Sequence, residues 1–319
     1  MRRYSGGMNS RISEKNEHLD PLDTPSRLQT YDDPAGYIAS KQVTDAVNVA
    51  LLLRQPLLVT GEPGTGKTEL AGSIAYDLGL DSPLIFNAKT TSVARDLFYR
   101  YDAIRHFQDA QLRSIEQNVE KYIRYEALGI AILRTLPAGQ RPRTIISGHG
   151  YEEPRSSVVL VDEVDKAPRD LPNDILIEIE RCQFAVPELG LEFTADRRYG
   201  PIVVFTSNAE SVLPDPFLRR CVFCHIPFPD QEHLRSIMFR RLGHGDSRWA
   251  EAVIRRFEAI RALPLRKKPS TAEFLAWVQI LARMQIDPSV PDQQSALAAT
   301  FSILAKNEED LIVIQHEGH

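Results

Sequence analysis

Long apolar runs, a hydrophobic leader and an excess of positive charge are all missing from this chain of 319 residues. No stretch approaches the ~20 apolar residues that span a bilayer. The first thirty residues also lack the apolar segment of a secretory signal, so the expected location is the cytoplasm, away from the membrane. Net charge is −5 and the isoelectric point is near 5.9, which argues against nucleic acid as the main partner. A local basic channel in an oligomer stays open. Cysteine is scarce, at three residues, yet Cys221-Val222-Phe223-Cys224-His225 has the spacing of c-type haem attachment. Without an export signal, the segment reads instead as a buried strand running into Ile226-Pro227, with cysteine acting as a small apolar residue. Neither an internal repeat nor a low-complexity tract is present.

What is there centres on Gly61-Glu62-Pro63-Gly64-Thr65-Gly66-Lys67-Thr68. This G-x-x-x-x-G-K-T loop follows an apolar run, Pro56 to Thr60, and precedes a helical pattern with Leu70, Ile74 and Leu78 on one face. Gly61, Gly64 and Gly66 let the backbone turn tightly and aim N–H groups at an anion, and the helix behind them adds the positive end of its dipole. In that setting Lys67 reaches the outer phosphates and Thr68 places its hydroxyl on Mg²⁺.

A second stretch, Val158-Val159-Leu160-Val161-Asp162-Glu163, sets four apolar residues before two carboxylates. The run predicts a strand buried on both faces, as in a parallel sheet. Asp162 is placed to hold hydrated Mg²⁺, and Glu163 to orient the attacking water and take its proton. Further strands are expected at Pro83–Asn87, Ile202–Thr206 and Val222–Ile226. Asn87 and Asn208 stand at carboxyl ends, where ligands collect over parallel sheets. Asn208 either holds the lytic water or caps a turn. Arg219 and Arg220, without a local acidic partner in the sequence, are either solvated or reach a neighbour's γ-phosphate as an arginine finger. Ser40 caps a helix running toward the first strand, and Tyr37-Ile38 before it is either a wall for an adenine base or core packing.

The segment from Asp96 to Leu136 reads as helical and charged, and residues 184–193 read as a hairpin. After Pro229 the pattern is helical throughout, with a capping box at Ser270 and Glu273. No clear signal follows Asn307. The expected organisation is a flexible tail over 1–30, an α/β core over 31–228 with a helical insert at about 96–145, and an α-helical lid with a C-terminal tail over 229–319.

Gly61–Thr68, Asp162-Glu163, Asn208 and Arg219-Arg220, followed by a helical bundle, resemble the AAA+ ATPases, and within them the MoxR branch and its dynein-related relatives. The phrases carrying the branch resemblance are Gly-Glu-Pro-Gly-Thr-Gly-Lys-Thr at 61–68, Asp-Glu-Val-Asp-Lys-Ala at 162–167, Val-Pro-Glu-Leu-Gly at 186–190 and Leu-Pro-Asp-Pro-Phe-Leu-Arg-Arg at 213–220. The resemblance implies a P-loop fold with a five-stranded parallel sheet, a helical lid, and a ring, usually hexameric, with ATP and Mg²⁺ between subunits. It implies that Arg220 is the finger, that Asn87 restrains the catalytic glutamate, and that the clients are proteins, among them those bearing a von Willebrand factor A domain. The family often carries an arginine near the start of the third lid helix, where this chain has Lys267-Lys268-Pro269, so Lys268 is the substitute candidate. Rival readings are a DNA-directed AAA+ motor or loader and a nucleotide-gated scaffold with little turnover.

Overall fold

A computed structural model of the chain describes Tyr4 and residues 34–111, 119–142, 153–208, 213–242 and 248–317. The described residues divide into two compact units, one holding Tyr4, 39–60 and 67–225, the other 34–38, 61–66 and 226–317.

In chain order the first unit's elements are α1 (Lys41–Leu53), β1 (Leu57–Gly61), α2 (Lys67–Leu78), β2 (Leu84–Asn87), β3 (Tyr99–Tyr101), α3 (Ala103–Gln111), β4 (Ile123–Tyr125), α4 (Ala127–Arg134), β5 (Val158–Asp162), α5 (Leu171–Arg181), β6 (Gln183–Val186), β7 (Leu191–Thr194), β8 (Ile202–Ser207), α6 (Asp215–Leu218) and β9 (Val222–Ile226). The five apolar runs expected as strands form one five-stranded parallel sheet in the order β2-β5-β8-β1-β9. Its register pairs Thr60 with Ser207, Val161 with Phe205 and Asn87 with Asp162. The carboxyl ends of β1, β8, β5 and β2 therefore align along one edge, the place where parallel sheets gather ligands. Leu58, Val159, Val161, Val203 and Phe205 are buried with Leu128, Ile132 and Leu133 of α4 and Ile175 and Leu176 of α5. Burying each such side chain contributes about 1.5–3 kcal/mol, which is why the apolar runs are continuous rather than alternating.

The segment expected to be helical from Asp96 to Leu136 is not one helix. β3 and β4 pair antiparallel within it, with Tyr99 opposite Tyr125 and Arg100 opposite Arg124. The reason is a period of two: Tyr99 is buried beside exposed Arg100, and Ile123 and Tyr125 are buried on either side of exposed Arg124. Two arginines facing each other across a ladder repel, and Glu126 offsets this by lying 3.4 Å from one and 3.5 Å from the other. Of the apolar later part, Ala127–Arg134 is helical and enters the core as α4. Residues 112–118 and 143–145 of the expected insert lie outside the described residues. The expected hairpin is present as β6 and β7, with Phe184 opposite Phe193. The expected tail over 1–30 lies outside them too, apart from Tyr4. Its N–H donates to Asn48 Oδ1 at 3.1 Å, and its hydroxyl lies 3.0 Å from Ser73 Oγ.

The second unit carries α7 (Gln231–Leu242), α8 (Arg248–Ala262), α9 (Thr271–Arg283), α10 (Gln294–Ala299) and α11 (Glu308–Glu317). Leu234, Met238, Phe257, Phe274, Trp277, Leu281, Leu297 and Phe301 make its core. Ser270 and Glu273 form the expected capping box of α9. The helix α11 gave no signal in the sequence because its apolar residues, Leu311 to Ile314, are consecutive and mark no single face. It is seated by buried Asp310, whose carboxylate accepts the N–H groups of Arg266 at 2.8 Å and Lys267 at 3.0 Å. Among the described residues no helix is long and apolar enough to cross a membrane.

Candidate phosphate site

In the first unit, α2 starts at Lys67, only 7 % exposed, with Thr68 next to it. Thr68 Oγ1 lies 3.3 Å from each carboxylate oxygen of Asp162, the last residue of β5. Burial pulls the Lys67 ammonium below its usual pKa, and Asp162, Asp165 and Glu163 oppose that pull. A cation at the head of a helix, where the dipole also favours negative charge, is suited to pairing with a polyanion, and the neighbouring carboxylates are suited to holding a cation that comes with it.

Thr206, on β8 between β1 and β5, organises the acidic pair. Its hydroxyl accepts the N–H of Glu163 at 2.9 Å and donates to Asp162 Oδ1. Glu163 itself has left-handed backbone geometry, φ 56° and ψ 47°, a strained conformation for a residue with a Cβ. Its carboxylate accepts Lys166 Nζ at 2.5 Å, which raises the Lys166 pKa, chiefly through that hydrogen bond. Asp165 Oδ1 accepts the backbone N–H of Asn208 at 3.2 Å, and the Asn208 residue is exposed at the end of β8. Asn87 is exposed beside Asp162 in register, and Ala88 N–H donates to the Asp162 carbonyl at 3.0 Å.

Arg219 and Arg220 follow α6, both exposed. No acidic partner is local to them in the sequence, but in the structure Arg220 Nε is 2.9 Å from Glu180 Oε1 on α5. Glu180 lies forty positions earlier in the chain, a proximity created by the packing of α5 on α6 and invisible in sequence. On β9, Cys224 faces the core while His225 Nδ1 lies 3.1 Å from Thr60 Oγ1. Burial pushes the Cys221 and Cys224 thiols up to about 12 and about 11.

In the second unit, residues 61–66 form the turn between β1 and α2. Gly61 has φ +150°, and a Cβ there would lie 2.4 Å from the Ile226 carbonyl oxygen; Gly64 has φ +74°, and a Cβ would lie 2.4 Å from Ser270 Cβ. Both positions therefore require glycine for space as well as for conformation. Thr65 Oγ1 donates to the Glu62 carbonyl at 2.9 Å, which closes the turn around Pro63, and Gly66 leads into α2. Glu62 pairs with Arg261 of α8 at 2.8 Å. Tyr37 is buried, and the Ile38 carbonyl oxygen is 3.1 Å from His233 Nε2. Lys268 is exposed, in the segment whose preceding N–H groups Asp310 holds.

The structure thus brings Lys67, Thr68, Asp162, Glu163 and the Asn208 backbone to one carboxyl edge. Sequence reading missed Thr206, Asp165, Lys166 and Arg261. A polar residue closing an apolar strand was the available signal for Thr206; Arg261 gave none, being 199 positions from Glu62.

No curated protein matches the chain. Similar solved structures include the RuvB Holliday junction branch migration motor of Thermotoga maritima, at 16% identity and TM-score 0.46, covering 85% of this chain and 70% of that one. Another is the AAA domain of FIGL-1 in complex with ADP, at 15% identity and TM-score 0.38, covering 81% of this chain and 75% of that one. A family model, the AAA domain of the dynein-related subfamily, matches residues 56–221, more than half of the chain, from the start of β1 through the acidic pair to Arg220. The protein belongs to the dynein-related subfamily of AAA domains.

Proposed function

We propose that the chain binds ATP with Mg²⁺, hydrolyses it at the interfaces of a homo-oligomeric, hexameric ring, and uses the cycle to remodel or activate protein clients in the manner of MoxR ATPases. The observation that carries the reading is the placing of Thr68 Oγ1 3.3 Å from both Asp162 oxygens, one residue after buried Lys67. A hydroxyl and a carboxylate are hard oxygen donors that suit Mg²⁺, which keeps several waters and takes its remaining oxygens from phosphates. When bound, Mg²⁺ neutralises charge on the β- and γ-phosphate oxygens.

The backbone of Gly61, Glu62, Pro63, Gly64, Thr65 and Gly66 wraps the phosphates, and Lys67 pairs with the outer ones. Glu163, once parted from Lys166, orients water and takes its proton. Asn208 holds that water, and Asn87, in register with Asp162, restrains Glu163. Arg220, flanked by Arg219, leaves Glu180 to reach a neighbouring subunit's γ-phosphate. Tyr37 and Ile38 line the base, and Lys268, in the helical lid over 229–319 that follows the core over 31–228 in the chain, takes the phosphate contact of the arginine that the family often carries there. The client is a protein, with von Willebrand factor A domain proteins the class to try first, in the cytoplasm.

Replacing Glu163 tests this. Glu163→Gln is expected to bind ATP and to hydrolyse it at least about 10²-fold more slowly. Wild-type turnover in that variant would remove the proposed base. Pull-down with the ATP-locked variant reads the client, and salt-sensitive binding of DNA in place of protein would transfer the reading to a DNA-directed motor.

A further inference from the structure

Arg261 lies on α8, far from the phosphate loop in sequence, yet it is anchored on three sides. Its guanidinium carbon sits 3.4 Å from the ring centroid of Phe228, Nη1 donates to the Pro269 carbonyl, and Nη2 donates to Glu62 Oε2 at 2.8 Å. The side chain is only 12 % exposed, against 53 % for Glu62, so the arginine is the fixed member and the loop residue the one being held. Stacking plus two directed donors uses the planar fork, which a lysine does not have. Pro269 immediately precedes Ser270, the N-cap of α9 and the residue that a Cβ on Gly64 would strike. A single guanidinium thus ties together α8, the start of α9 and the second residue of the loop.

A carboxylate in a loop that accepts phosphates repels them unless its charge is cancelled. We infer that Arg261 is a positioning residue for the phosphate loop: it neutralises Glu62 and restrains it, so that the loop presents its N–H groups to an anion without an opposing charge. The inference deepens the nucleotide-binding reading and rests on it for its phosphate arm. It also makes the linkage reciprocal, since whatever moves Glu62 on phosphate binding is felt by α8 and α9.

Affinity for Mg²⁺-ADP and a non-hydrolysable Mg²⁺-ATP analogue, measured by calorimetry on the full chain, tests the charge. Arg261→Ala is expected to weaken the triphosphate about tenfold, and the diphosphate less. Adding Glu62→Gln to that variant is expected to recover most of the loss, and Arg261→Lys to fall between. A second readout needs no nucleotide: hydrogen exchange at the Glu62, Gly64, Thr65 and Gly66 amides is expected to quicken in apo Arg261→Ala while α2 is unchanged. Triphosphate affinity within twofold of wild type, failure of Glu62→Gln to recover binding, or unchanged exchange in the loop would each overturn the assignment. If the wild-type chain takes up no nucleotide, the functional reading fails, and the exchange result alone decides whether Arg261 holds the loop.

Discussion

Thr206→Val removes one hydroxyl and keeps the shape of a side chain that is 1% exposed. Two hydrogen bonds go with it, the one donated to the Asp162 carboxylate and the one accepted from the Glu163 N–H at 2.9 Å. A bond to a charged acceptor contributes about 1.5–3 kcal/mol and a neutral one about 0.5–1.5 kcal/mol. Burying a methyl in the hydroxyl's place returns about 0.8 kcal/mol, so the net loss is about 1–4 kcal/mol, or several degrees in Tm. The consequence for turnover is larger. Glu163 is held at φ 56°, a conformation costing about 1–2 kcal/mol in a residue with a Cβ. Once its N–H is released, the backbone relaxes toward an ordinary conformation and carries the carboxylate with it. A displacement of about 1 Å at a reacting group costs on the order of 10²-fold in rate. Steady-state ATP hydrolysis with a phosphate-release assay, alongside denaturant melts, is expected to show kcat falling about 30- to 100-fold at little-changed KM, with Thr206→Ser near wild type. If Thr206→Val turns over within twofold of wild type, or if Ser and Val behave alike, Thr206 does not set the position of the acidic pair.

Other consequences follow from the same contacts. Because burial lowers the Lys67 pKa below its unfolded value near 10.5, the unfolded chain binds the extra proton between the two values, and stability rises with pH through that alkaline window. Lys67→Met should erase this increment and raise the melting temperature of the nucleotide-free protein while weakening nucleotide binding more than tenfold, on the order expected for losing a phosphate-pairing cation; a lower melting temperature would contradict the burial argument. Arg220 and Glu180 are 47 % and 58 % exposed at their side chains, and such pairs contribute at most about 1 kcal/mol. Arg220→Ala should therefore leave monomer stability within about that margin and still bind nucleotide, yet abolish hydrolysis in assembled rings. Mixing Arg220→Ala with Lys67→Ala subunits should restore part of the activity, and no recovery would place the arginine's action within its own subunit.

Much of this was legible in the sequence, and the reasons are local. A loop of glycines between an apolar run and an amphipathic pattern announces its own strand and helix, because each signal is a short-range periodicity. Val158–Val161 reads as a buried parallel strand on the same grounds, and the capping box at Ser270 and Glu273 is a three-residue spacing. Where reading failed, the period was mixed or absent: three-residue strands at Tyr99–Tyr101 and Ile123–Tyr125 were lost in a charged stretch, and α11 hid behind four consecutive apolar residues.

The pairings belong to a different order of information. By itself the sequence determined which residues can meet a phosphate, since glycine, lysine, threonine and the two carboxylates are chemically fit for it and stand at the spacing a strand, turn and helix impose. Only the tertiary structure decided what holds them. Parallel strands joined by long crossovers set Thr206 between β1 and β5, and helix packing brings Glu180 to Arg220 and Arg261 to Glu62. Such contacts join residues tens to hundreds of positions apart, and no local periodicity encodes a distance that only the closed fold creates.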